Sequence, residues 1–157
     1  MNAELSLPDE AATLRLGAAL AEGARGGLVL HLSGELGTGK TTLVRGLLES
    51  LGHRGRVRSP TYTLVEPYIF SRLHFYHFDF YRIKGEAEWL SSGFQEHFGP
   101  EALCVVEWPE RAGSALPPPD VLIRLEHANG GRLARLSTHS PAGEAWLAAA
   151  LSRWRSS

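Results

Sequence analysis

Residues Leu28 to Gly52 constrain this chain more than any other stretch. Leu28-Val29-Leu30-His31-Leu32 is a short apolar run. Gly34, four residues, Gly39, Lys40 and Thr41 follow, and then Leu43, Val44, Leu47, Leu48 and Leu51 recur at helical spacing up to Gly52. A strand, a glycine-rich turn and a helix in that order make the P-loop pattern, which cradles a polyphosphate. The residue types follow from the chemistry. Backbone N–H groups of the turn and the helix N-terminus carry partial positive charge toward the ligand. Lys40 adds a full charge for the outer phosphates, and the Thr41 hydroxyl can ligate a bridging magnesium ion. Glycine is needed because a Cβ would block the close approach of backbone to phosphate. The four fixed positions arise by chance in roughly half a percent of chains this long, and the flanking strand and helix lower that further. Nucleotide contacts are expected from Glu35, Leu36, Gly37, Thr38, Gly39, Lys40, Thr41 and Thr42.

With 157 residues the chain has the length of one domain, 1–157, large enough to bury a core without covalent staples. A net charge of −1 gives no global drive toward nucleic acid or anionic membrane. The single cysteine, Cys104, lies in an apolar run, which excludes an internal disulfide and a cysteine-based zinc site. No apolar stretch has the length of a membrane span, and Asp9 and Glu10 stand where a signal peptide would be apolar. A cytoplasmic setting is the expectation.

The order of elements reads as α/β. Glu4 to Leu7 suits a short edge strand, and Pro8 suits the first turn of a helix running to about Gly23. After the P-loop, His53 to Pro60 reads as a loop. Thr61 to Phe70 reads as extended, with Pro67 marking an edge or a bulge. Leu73 to Phe80 reads as a strand, Glu86 to Phe98 as a helix and Leu103 to Val106 as a buried strand. Val121, Ile123 and Leu125 alternate with polar residues ahead of a hairpin at Asn129-Gly130-Gly131, and Pro141 to Arg153 closes the chain as a helix. The fold class expected is a P-loop NTPase-like domain, a mixed sheet with parallel core strands and antiparallel edge strands, flanked by helices.

A P-loop needs an acid at the carboxyl end of a neighbouring strand. Glu107 ends the run Ala102-Leu103-Cys104-Val105-Val106, and Asp79 ends His74-Phe75-Tyr76-His77-Phe78. Both are candidates for metal-linked chemistry. His77 and Asp79 share a strand face while His74 falls on the other, so the three cannot form one metal cluster on a regular strand. The two histidines read as packed, hydrogen-bonded sheet residues, and Phe70, Phe75, Phe78 and Phe80 as core. His53, Arg54, Arg56 and Arg58 form a basic loop that is either solvated or in contact with phosphate, of the nucleotide or of an RNA. Thr61, just past Pro60, could reach magnesium or a γ-phosphate as a switch threonine does.

Neither asparagine, Asn2 or Asn129, precedes a lysine, so the Asn-Lys-x-Asp element of guanine-specific proteins is absent and adenine is favoured by elimination. A small-molecule P-loop kinase is the alternative for this length. Such a kinase carries an arginine-bearing helical lid late in the chain, where this sequence offers a proline-rich loop, a hairpin and one helix.

Five blocks in order carry a family resemblance: Asp9-Glu10-Ala11-Ala12-Thr13-Leu14; Gly34 to Thr42; Ser59-Pro60-Thr61-Tyr62-Thr63-Leu64-Val65-Glu66-Pro67-Tyr68; His77-Phe78-Asp79-Phe80-Tyr81-Arg82; and Val106-Glu107-Trp108-Pro109-Glu110. The chain resembles the TsaE (YjeE) family of bacterial ATPases of tRNA threonylcarbamoyladenosine biosynthesis, over nearly its whole length, weakly from Ser140 onward. The resemblance implies binding of ATP or ADP with Mg2+ and action with two partner proteins, TsaB and TsaD, the latter transferring threonylcarbamoyl to a tRNA adenosine. It implies Thr41 and Glu107 as magnesium ligands, Thr13 near the base and Ser59-Pro60-Thr61 as a switch-like loop near the γ-phosphate, with Asp79 close by. Arg132 matches a basic position beside the nucleotide. Lys40, Asp79 and Glu107 are the residues expected to carry hydrolysis.

Overall fold

The computed structural model describes residues 1–157 as one seven-stranded sheet flanked by helices. In chain order the elements are β1 (Asn2–Leu7), α1 (Glu10–Leu20), β2 (Val29–Ser33), α2 (Lys40–Ser50), β3 (Val65–Ile69), β4 (His74–Asp79), α3 (Glu86–Ser91), β5 (Ala102–Glu107), β6 (Val121–Ala128), β7 (Gly131–Thr138) and α4 (Pro141–Ser156). Single 3-10 turns cover Phe94–His97 and Pro109–Ala112. The strand order is β1-β7-β6-β2-β5-β4-β3. Four central strands, β6, β2, β5 and β4, are parallel, and β7, β1 and β3 are added antiparallel at the margins. No helix is long and apolar enough to cross a membrane.

Local chemistry sets the ends of these elements. Asp9 caps α1 by accepting from the Ala12 amide at 2.8 Å, so Pro8 lies outside the helix it was expected to open. Ser140 caps α4 in the same way, with Pro141 in the first turn. Asn129 and Gly130, both at positive φ, form the two-residue turn between β6 and β7. Two further expectations need correction. The segment from Glu86 to Phe98 is not one helix: α3 stops at Ser91, Gly93 takes a left-handed φ of 77°, and a 3-10 turn follows. In the span from Thr61 to Phe70 only Val65–Ile69 is strand, because residues 61–63 form a turn that closes when the Leu64 amide bonds to the Pro60 carbonyl.

The two sheet faces are packed differently. Leu30, Leu32, Phe75, Leu103, Val105 and Ile123 face α1, α2 and α4 in the larger core. Phe78, Cys104 and Val106 face the other way, into a smaller aromatic cluster with Phe80 and Trp89. Helix α1 lies directly on α2 because each presents a glycine: a Cβ on Gly17 would sit 2.1 Å from the Leu43 carbonyl, and one on Gly46 2.3 Å from that of Leu14. That contact brings Thr13 to the P-loop. His31, buried in β2, bonds to the Pro117 carbonyl at 3.1 Å, and burial pushes its pKa down to about 4, so it is neutral and structural.

Candidate nucleotide site

The P-loop leaves β2 at Gly34 and enters α2 at Lys40. Gly34 has φ 142° and Gly39 has φ 104°, and a Cβ on Gly34 would stand 2.4 Å from the Leu125 carbonyl. Lys40 turns back over the loop. Its Nζ donates to the Gly34 carbonyl and to the Glu35 carbonyl, the latter at 2.9 Å, and lies 4.3 Å from the centroid of the Trp108 ring. Thr38, fully buried, closes the turn by donating to the Glu35 carbonyl at 2.8 Å. Leu36 stands exposed at the tip. Burial lowers the Lys40 pKa, against the opposing charges of Glu107, Glu110 and Asp79.

Both strand-end acids meet this loop, since the parallel register of β4 on β5 sets Asp79 opposite Glu107. The Thr41 hydroxyl donates to Glu107 Oε2 at 2.9 Å, and Oε1 lies at 3.2 Å. On the inner side His77 Nε2 is 2.6 Å from the same Oε2, with both side chains buried. An ionised carboxylate only accepts, so His77 holds its proton on Nε2 and leaves Nδ1 without a protein partner. A hydroxyl and a carboxylate oriented together form an all-oxygen donor pair that suits a hard divalent cation such as magnesium. Asp79 has a separate duty: one carboxylate oxygen accepts from the Ser59 hydroxyl and the other from the Tyr81 amide at 3.0 Å. Ser59 thereby ties the loop carrying Thr61 to the end of β4.

These groups line a cavity of about 460 Å³ that includes Lys40, Thr41, Ser59, Thr61, Asp79 and Glu107. A second hollow of about 330 Å³ opens on the other flank of the loop, between Thr13, Asp9 and Arg132. Gly37, Gly39 and Thr42 border both. Thr13 is buried against Gly39, on which a Cβ would approach its methyl to 3.4 Å. Arg132, at the start of β7, donates to the carbonyls of Gly37 at 3.0 Å and Thr38 at 3.2 Å. It buttresses the P-loop backbone from outside.

A family model, "Threonylcarbamoyl adenosine biosynthesis protein TsaE", matches residues 7–135. The chain is 37% identical to the tRNA threonylcarbamoyladenosine biosynthesis protein TsaE of Haemophilus influenzae over 143 residues, 88% of this chain and 90% of that protein. It is likewise 37% identical to the protein of the same name from Streptomyces coelicolor, over 87% of this chain and 95% of that one. The chain belongs to the TsaE family. The crystal structure of Bacillus subtilis YdiB superposes with a TM-score of 0.82 at 25% identity, covering 97% of this chain and 95% of that one. A nucleotide-binding P-loop fold and a place in tRNA threonylcarbamoyladenosine biosynthesis come with that membership, and the metabolite-kinase alternative falls away.

Every singled-out residue from Glu35 to Thr42 lies in the loop or the first turn of α2, with Asp79, Glu107 and Thr61 on one flank and Thr13 and Arg132 on the other. Two side chains were not singled out for the site, His77 behind Glu107 and Trp108 under Lys40, and the direct bond of Ser59, expected in the switch-like loop, to Asp79 is the structure's addition. His77 carried a signal, its shared face with Asp79, but only the pairing of β4 with β5 shows that Glu107 lies within reach. Trp108 carried none, since its position depends on a left-handed φ of 58° just past β5.

Proposed function

We propose that this chain is a magnesium-dependent ATP hydrolase, slow alone, that serves threonylcarbamoyladenosine modification of tRNA in a complex with TsaB and TsaD. The observation that carries the reading is the meeting of Lys40, Thr41, Glu107 and Asp79 on one cavity at the carboxyl ends of parallel strands. Adenine is the base favoured, because the guanine-recognising element is missing from the sequence.

In this reading the amides from Gly37 to Thr42 bind the phosphate oxygens, and Lys40 exchanges its carbonyl partners for the outer phosphates. Thr41 and Glu107 would hold magnesium, which when bound would offset negative charge on the phosphoryl oxygens. His77 fixes the carboxylate plane of Glu107, since a bonded ring leaves it one orientation. Asp79 is the second acid, anchoring Ser59 and, with Thr61, orienting the attacking water. Thr13 and Arg132 border the base and keep the loop in shape from the opposite flank.

Calorimetry with ATP and magnesium tests the reading directly: saturable heat is expected from the wild type and little from Lys40→Ala. ADP released with no acceptor present, and faster with TsaB and TsaD added, is the expected activity. Absence of heat at millimolar ATP overturns it.

A further inference from the structure

One charged feature lies beside the nucleotide site, and of its cations only Arg82 lines the nucleotide cavity. Residues 51–84 hold six lysines and arginines against two acids, Glu66 and the buried Asp79, a balance of +4 in a chain of net charge −1. Arg54, Arg56, Arg58, Arg72, Arg82 and Lys84 are all exposed, and none forms an ion pair. Elsewhere Arg45, Arg135 and Arg153 each find a glutamate and the other arginines do not, so it is the local excess of positive charge that sets this stretch apart. Cations left unpaired on one side of a protein with acids to spare are available for an outside anion.

The loop at 53–60 presents three of them in a fixed way. Val57 packs against the larger core while Arg54, Arg56 and Arg58 stay outside. Tyr68 of β3 meets the loop at both ends, with its ring edge-on to His53 at 4.8 Å and its phenol against the Arg58 backbone. Both contacts hold the loop against Tyr68, near the end of edge strand β3, and the chain runs on from Arg58 to Ser59 at the nucleotide cavity. Just beyond stands Tyr62, 85% exposed, with only the Arg82 guanidinium near its ring at 5.1 Å.

We propose that this strip binds the phosphodiester backbone of RNA, with Tyr62 stacking on an unpaired base at its upper end. Planar guanidinium forks bind phosphate oxygens bidentately, and Arg54, Arg56 and Arg58 supply three of them side by side. A bare tyrosine beside cations offers a stacking platform for an unpaired base. That the RNA is a tRNA rests on the functional reading above.

Unmodified tRNA is titrated into the full-length protein at several salt concentrations, and ATP affinity is measured on the same samples. Wild type is expected to bind with a slope of log K against log salt near about −2, as three single-strand phosphate contacts give. The triple change R54Q/R56Q/R58Q is expected to bind about tenfold or more weakly at low salt with a slope near zero, and R56Q alone to reduce the slope by about 0.7. Tyr62→Ala is expected to weaken binding about fivefold with the slope unchanged. Absence of tRNA binding by the wild type, or an unaltered triple variant, overturns the proposal. A triple variant that keeps tRNA but loses the TsaB–TsaD complex also overturns it, in favour of an acidic protein surface. ATP affinity stays intact in all of these outcomes, so this proposal can fail while the ATPase reading stands.

Discussion

The two flanks of the P-loop are built from different materials. On the side of β5 and β4, side chain meets side chain: Thr41, Glu107 and His77 form one chain of contacts, and Ser59 and Asp79 another. On the side of α1 and β7, a single long side chain, Arg132, meets backbone carbonyls, and Thr13 offers a methyl contact to Gly39. The first flank gathers acids beside an ammonium and can change charge distribution during a reaction. The second has no carboxylate–ammonium cluster and serves to border the nucleotide and support the loop. Substitutions on the first should therefore alter chemistry and metal dependence, and those on the second should alter binding of ATP and ADP alike.

Lys40→Ala, at the junction of the flanks, should have the largest effect. Losing charge-assisted hydrogen bonds worth about 1.5–3 kcal/mol each should weaken ATP binding about 100-fold or more, with the circular dichroism spectrum unchanged. Glu107→Gln comes next: hydrolysis with the partners should fall about 100-fold while metal-free ADP binding stays near that of wild type. Equal losses in both measurements would erase the proposed distinction between flanks. His77→Asn should raise the magnesium concentration for half-maximal activity about tenfold, with a smaller change at saturating magnesium. A purely structural role would instead lower the melting temperature and leave the magnesium dependence alone. Arg132→Ala should cost about 1 kcal/mol, or about fivefold, in both ATP and ADP affinity, because its bonds to Gly37 and Thr38 are partly solvated.

The flanks also differ in what could be read from residues. Asp79 and Glu107 were legible because an acid that ends an apolar run emerges where a strand leaves the core. The period-two alternation of β4 places His77 and Asp79 on one face from the sequence alone. The hairpin at Asn129-Gly130 was equally plain, since its turn type needs two positive φ angles. The helix expected over Glu86 to Phe98 failed at Gly93, where a helical apolar pattern spans a left-handed residue that starts a new turn. Arg132 was matched to a position beside the nucleotide by family resemblance alone, and its contact with the P-loop depends on β7 returning beside β1.

By itself the sequence determined the strand, turn and helix around Gly34 to Thr42 and the chemistry it can hold. Those features follow from local backbone freedom, helix-terminal amides and the alternation of side chains, all of which act over a few residues. Tertiary structure decided which carboxylate takes which partner. The contacts of His77 with Glu107 and of Ser59 with Asp79 span 30 and 20 residues, respectively. Sheet order and parallel register bring such groups together, and those depend on how the whole core packs.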